Sequence, residues 1–164
     1  MFNPFIYQFG MHTIQVVYDE GVGPLPSDVE NLLKKQTEGV LNYLADSKGS
    51  VSILFCDEGR IREFNRTFRQ EDKSTDILSW LCLGADISNG MPEDIPWGEL
   101  AICLDICRKQ AESSGWELVT ELQRLIVHGI AHLLGYDHET AAEEKIMLRI
   151  ESDLLSRIGL CNIY

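Results

Sequence analysis

The sequence has no long hydrophobic run. None of the apolar stretches among its 164 residues approaches the roughly 20 residues that a membrane-spanning helix requires. The first ten residues are apolar, but they contain no Lys or Arg and include Pro4, so we expect no signal peptide. The sequence therefore predicts a protein without a membrane anchor.

Cysteine is scarce, and the number of cysteines is odd. The five are scattered along the chain, which argues against a disulfide framework and favours a reducing compartment such as the cytoplasm. We expect all of them to act as small buried hydrophobic residues. They are Cys56, Cys82, Cys103, Cys107 and Cys161.

Basic residues are few. The chain has 14 Lys and Arg against 26 Asp and Glu, a net charge of −12. This balance excludes a protein that coats nucleic acid nonspecifically, because such proteins carry broad basic surfaces. The net charge does not exclude an enzyme with a local basic cleft. Salt screens charges over about 8–10 Å, so the charges near the cleft decide what binds there.

Hydrophobic periodicity predicts four strands and five helices. The helices are expected to begin near Ser27, Asp57, Asp105, Glu117 and Thr140. The strands are expected at His12–Tyr18, Ser50–Cys56, Ile77–Leu83 and Glu99–Leu104. Helices dominate the second half, so we predict a single α+β domain over residues 1–164, with an approximately four-stranded mixed sheet.

Sequence patterns predict the caps of two helices and the core-facing residues of two helices. Ser27 with Glu30, and Thr140 with Glu143, fit the capping-box pattern. Helical spacing predicts which apolar side chains face the core. They are Ile61, Phe64 and Phe68 in the second helix, and Ile146, Ile150, Leu154 and Ile158 in the last helix.

Histidine is also rare, yet three of the four histidines lie within eleven residues. His128 and His132 are four residues apart, which places both rings on one helix face. Gly135 permits the helix to end, so that His138 can return as a third ligand. Three imidazoles leave one position of tetrahedral zinc open for water, as in catalytic sites. We predict one zinc ion at the end of this long helix, although imidazole also suits other divalent metals such as nickel or iron.

The histidine spacing matches the metzincin protease signature except at one position. Those proteases carry a glutamate that acts as general base, where this chain has Gly129. A zinc-dependent peptidase or amide hydrolase of similar geometry therefore remains an alternative, but it would need another base.

Three ordered motifs resemble the YbeY family of rRNA-maturation endoribonucleases. The string HGIAHLLGYDH at 128–138 is similar to that family's H-G-x-x-H-L-x-G-Y-D-H signature. The strings FNRTFR at 64–69 and STDILSW at 74–80 resemble its L-N-x-x-F-R…P-T-D-V-L-S-F pattern, and GELAIC at 98–103 resembles its G-D-I-x-I strand. The chain departs from the pattern at Glu71, where the family often has lysine, and at Ser74 and Trp80.

The resemblance implies a metal-dependent endoribonuclease that acts on single-stranded RNA in the 3′ maturation of 16S rRNA and in ribosome quality control, with the small ribosomal subunit or its proteins as partner. It implies that Arg69 is catalytic, since an arginine can clamp a phosphate bidentately. Arg66, on the same helix stripe as Arg62, could contact the RNA backbone, although a solvated helix face explains that stripe equally well. Asp137 is a candidate acceptor for a ligand N–H, or alternatively a turn residue.

The sequence leaves the chemistry and one further class of function open. Water could attack phosphorus directly and leave a monophosphate end, or the RNA 2′-hydroxyl could attack and leave a 2′,3′-cyclic phosphate. A non-catalytic, ribosome-associated zinc protein is the third alternative, because an acidic protein can dock on basic ribosomal proteins. The oligomeric state is not predicted.

Overall fold

A computed structural model describes residues 12–44, 49–82 and 96–164. These residues form four strands, β1 (His12–Tyr18), β2 (Gly49–Cys56), β3 (Ile77–Leu81) and β4 (Pro96–Cys103). They also form five helices, α1 (Ser27–Leu44), α2 (Glu58–Arg69), α3 (Leu104–Ser114), α4 (Leu118–Leu133) and α5 (Ala141–Arg157). The predicted α+β class is confirmed. Within these residues, no helix combines the length and hydrophobicity needed to cross a membrane.

The strands form one mixed sheet in the order β1-β2-β4-β3. β1 and β2 are parallel, as are β2 and β4, whereas β3 runs antiparallel to β4 at the edge. The parallel pairs require helical crossovers, which explains why α1 separates β1 from β2.

The sheet is covered on both faces, and alternate residues of β4 show which element covers each face. Leu100 and Ile102 belong to the large core that includes residues of α1, α4 and α5. Ala101 and Cys103 belong to a smaller cluster that contains Ile61 of α2. Because successive strand residues point to opposite faces, α4 and α2 lie on opposite sides of the sheet.

Gly98 in β4 positions the end of α4. A Cβ atom at residue 98 would lie 2.5 Å from Leu133 Cδ2 and 2.6 Å from the Trp80 carbonyl oxygen. Only glycine leaves room for that approach. The last turn of α4, which carries His132, therefore rests closely on the β3–β4 edge of the sheet.

The predicted inner faces of two helices are partly wrong. Phe68, at the end of α2, is 61% exposed, although its ring contacts the rings of Trp80 and Phe64. Ile146 is 54% exposed and its neighbour Met147 is buried instead, whereas Leu154 is buried as predicted and Ile150 and Ile158 pack against the core. The buried residues of α5 are Met147, Glu151, Leu154 and Leu155.

Several predicted boundaries and environments also differ. Glu30 does not cap α1, because its carboxylate instead accepts hydrogen bonds from Tyr18 and Lys34. Helix α3 begins at Leu104, before the predicted Asp105. Cys161 is exposed, while three of the other cysteines are fully buried. Strand β3 ends at Leu81, short of the predicted strand, whose last residue Leu83 lies outside the described residues. The Thr140 capping box is confirmed.

Candidate metal centre

The structure brings the three predicted metal ligands together. One ligating nitrogen from each of His128, His132 and His138 lies within 4.8 Å of the others. The Nε2 atoms of His128 and His132 are 3.1 Å apart. The ring of His138 lies 5.6 Å from that of His128 and 5.1 Å from that of His132, measured between centroids.

A tight turn after α4 returns His138 to the cluster. Gly135 has φ +88°, a left-handed conformation that side chains other than glycine rarely adopt. The Gly135 N–H donates to the His132 carbonyl at 2.9 Å, and the Tyr136 N–H donates to the Ala131 carbonyl at 3.1 Å. These bonds satisfy the free carbonyls of the helix end and fix the direction of the chain toward His138.

The ring of His132 is oriented by a backbone carbonyl. Its Nδ1 lies 3.0 Å from the carbonyl oxygen of Tyr136, whereas the Asp137 carboxylate lies at 3.9 Å, beyond hydrogen-bond distance. Asp137 Oδ1 instead accepts from the His138 N–H at 2.8 Å, as expected of a turn residue. Burial lowers the pKa of His132, and the neighbouring His128 and His138 lower it further. This keeps His132 neutral, the form that binds metal.

The ring of His128 is oriented by a residue that the sequence analysis did not identify. Glu151 of α5, which is only 2% exposed, places Oε1 2.6 Å from His128 Nδ1. Burial acts to raise the pKa of Glu151, but hydrogen bonds from His128 and Tyr164 outweigh it, so that the pKa is lowered. The signal available in the sequence was an acidic residue at helical spacing from Met147 and Leu154, on a face otherwise apolar.

The residues fit a divalent metal. The Nδ1 atoms of His128 and His132 both face hydrogen-bond acceptors, which leaves their Nε2 lone pairs as ligands. Among residues 12–44, 49–82 and 96–164, these three histidines form the one set of three or more potential ligands close enough together to hold an ion. The set contains no carboxylate and no thiolate. Within the part of the chain that the structure describes, no fourth protein ligand joins the three imidazoles, an arrangement that matches a catalytic rather than a closed structural zinc site.

A pocket of about 250 Å³ lies beside the histidines, between α4 and α5. His128 and His138 line it, together with Arg124, which lies one turn before His128. Arg124 donates two hydrogen bonds to the buried carboxylate of Glu121, at 2.7 and 3.2 Å, so its charge is already paired. The pocket leaves open space next to the proposed ligands.

The arginines of α2 lie across the sheet from α4. Arg62 forms an ion pair with Asp72, with two hydrogen bonds of 2.8 and 3.0 Å. Arg66 and Arg69 are exposed, and within the described residues neither has a carboxylate within 4.0 Å. No hydrogen bond or ion pair between described residues joins Arg66 or Arg69 to the histidine cluster, so their predicted roles stay predictions.

Comparison with known proteins identifies the family. The family model described as "Endoribonuclease YbeY" matches residues 23–159. The chain belongs to this family. It is 40% identical over 132 residues to the Endoribonuclease YbeY of a Geobacillus species, covering 75% of this chain and 85% of the relative. It is 36% identical over 151 residues to that of Staphylococcus aureus, covering 82% and 94%.

Two further likenesses extend the comparison. The Endoribonuclease YbeY of Myxococcus xanthus is 36% identical over 148 residues, which is 90% of this chain. The chain spans only about half of that longer relative, 48% of its length. A solution structure of a Thermotoga maritima protein aligns with a TM-score of 0.56 at 23% identity, covering 88% of this chain and 91% of that one, and shows the same fold. The peptidase and non-catalytic alternatives receive no support from these comparisons.

Proposed function

We propose that this chain is a zinc-dependent endoribonuclease that cuts single-stranded RNA, with His128, His132 and His138 as metal ligands. The observation that carries the proposal is the convergence of one nitrogen from each histidine within 4.8 Å, in a member of the YbeY family. When bound, zinc would supply a water of pKa near 7 and would polarise a phosphoryl oxygen.

Arg69 and Arg66 would bind the RNA phosphates. Both side chains are exposed on α2, and among the described residues neither is held in an ion pair, unlike Arg62. A guanidinium without a protein partner keeps its fork of donors available for phosphate oxygens. We assign the catalytic phosphate contact to Arg69, which matches the family's F-R string, and a backbone contact to Arg66.

We further propose that the protein works in rRNA processing in the cytoplasm, docked on the small ribosomal subunit. The net charge of −12 supports docking on basic ribosomal proteins more than free binding to RNA. Retention of the protein by purified small subunits over a range of salt concentrations tests this, and failure to be retained at any of them would refute it.

The activity is tested by measuring bound metal and the cutting of a single-stranded RNA by the purified protein. His132→Ala removes one metal ligand, so we expect loss of both bound zinc and cleavage. Arg69→Ala removes only the phosphate contact, so we expect zinc content to stay unchanged while cleavage falls about a hundredfold or more.

Arg108→Ala is the matched control, because Arg108 is also an exposed arginine, on α3, and is paired with Asp105. It should cut RNA like the unchanged protein, whereas loss of cleavage in His132→Ala purified in the same way excludes a contaminating nuclease. Cleavage that persists in His132→Ala after purification would contradict the proposal, and metal-dependent cutting of an unfolded protein substrate would favour the peptidase instead. End-group analysis separates a monophosphate from a 2′,3′-cyclic phosphate.

A further inference from the structure

Glu151 is a buried acid whose carboxylate has two hydrogen-bond partners among the described residues. Its side chain is almost completely buried on the inner face of α5. One carboxylate oxygen lies 2.6 Å from His128 Nδ1, and the other accepts a hydrogen bond of 2.5 Å from the Tyr164 hydroxyl. Acids are rarely buried unless they are paired. Hydrophobic packing alone therefore does not account for a carboxylate at this position.

The two contacts fix the orientation of the His128 ring. A carboxylate only accepts hydrogen bonds, so the nitrogen facing it carries the proton. The ring therefore presents Nε2 toward His132 Nε2, 3.1 Å away. A His–carboxylate contact of this kind fixes the ring tautomer and raises the basicity of the ligand nitrogen.

We propose that Glu151 is a positioning residue for the metal, with Tyr164 holding its carboxylate in place. This inference rests on the metal site of the proposed function, but it does not depend on the RNA chemistry. The proposal gives the two histidines of α4 different hydrogen-bond partners: the buried Glu151 carboxylate for His128, and the Tyr136 carbonyl for His132. It also gives the segment after α5, which carries Tyr164, a role at the metal centre.

The test is the affinity for Zn²⁺, measured by competition with a chromophoric chelator, together with the absorption spectrum of bound Co²⁺. Glu151→Gln keeps the shape but removes the charge, so zinc affinity should fall 10- to 100-fold, the usual effect of losing such a partner. Tyr164→Phe leaves the carboxylate in place and should cost several-fold. Asp153→Asn is the control, since Asp153 is an exposed acid on the same helix, paired with Arg157, and it should leave affinity and spectrum unchanged.

Zinc affinity equal to that of the unchanged protein in folded Glu151→Gln would overturn the proposal. Should that variant fail to fold, the ¹⁵N signals of the His128 ring in the unchanged zinc-bound protein decide the question. We expect protonated Nδ1 and metal-bound Nε2, and the opposite assignment overturns the proposal. Glu151-dependent zinc binding without RNA cleavage would contradict the proposed function and leave this inference standing.

Discussion

Gly129 of α4 lies directly against Leu100 of β4. A Cβ atom at residue 129 would be 2.7 Å from Leu100 Cδ2 and 2.9 Å from Ile77 Cδ1, closer than real Cβ atoms come to their neighbours. The position that holds the general base in metzincin proteases is therefore turned into the sheet in this protein. A glutamate there would lie in the core and not beside the metal, so residue 129 could not supply the general base that a peptidase would need.

Replacing Gly129 with alanine should destabilise the protein by up to about 2 kcal/mol. The new methyl group would overpack the contact between α4 and the sheet at a cost of about 1–3 kcal/mol, which the gain of about 1 kcal/mol from the better helix former offsets only in part. Denaturant unfolding measures the change.

Gly39→Ala is the control for that substitution, because Gly39 is also within a helix, but among the described residues no atom outside its own helix lies within 4 Å of a Cβ placed there. It should stabilise the protein by about 0.5–1 kcal/mol. Equal effects of the two substitutions would show that the close approach at Gly129 does not constrain α4.

The capping box of α5 should contribute measurable stability. Thr140 Oγ1 accepts from the Glu143 N–H, and the Glu143 carboxylate accepts from the Thr140 N–H. Thr140→Ala removes the cap and should cost about 1 kcal/mol, whereas Thr140→Ser keeps the oxygen and should cost much less. Thermal unfolding of the two variants side by side checks this, and a serine variant as unstable as the alanine variant would argue against the cap.

His12 should make stability depend on pH. Its side chain is buried in contact with Trp97, and burial lowers its pKa from the ordinary value of 6.5. The unfolded chain then takes up the proton more readily, so the stabilising effect of neutral His12 is complete above pH 6.5 and is lost as the pH falls below it. The difference in unfolding free energy between pH 7.5 and pH 5.5 should shrink in His12→Phe, and an unchanged difference would count against a role for this residue.

The cysteines should differ sharply in reactivity. Cys161 is exposed, whereas Cys56, Cys103 and Cys107 are buried. Burial raises the pKa of Cys56 to about 12 and also raises those of Cys103 and Cys107, so little thiolate is available. In native protein at pH 8, a thiol reagent should label Cys161 quickly and these three only as the protein unfolds. Rapid labelling of all of them would contradict the described core.

The sequence predicted the sheet and the ligand cluster because both depend on local patterns. The histidine spacing and Gly135 lie in one short segment, and helix period with turn chemistry is sufficient to place them. Glu151 was missed because its role appears only when α5 packs on α4. The exposure of Ile146 was missed for the same reason, because the helical period of the apolar residues does not show which of them the rest of the fold covers.

The three proposed ligands lie within eleven consecutive residues, so most of the chelating capacity is encoded locally. A denatured chain keeps that segment intact and can still capture zinc weakly. A metal ion that binds both the native and the denatured chain stabilises the native state by less than its affinity for the native site alone would give. Saturating zinc should therefore raise the melting temperature by less than the measured dissociation constant alone would predict.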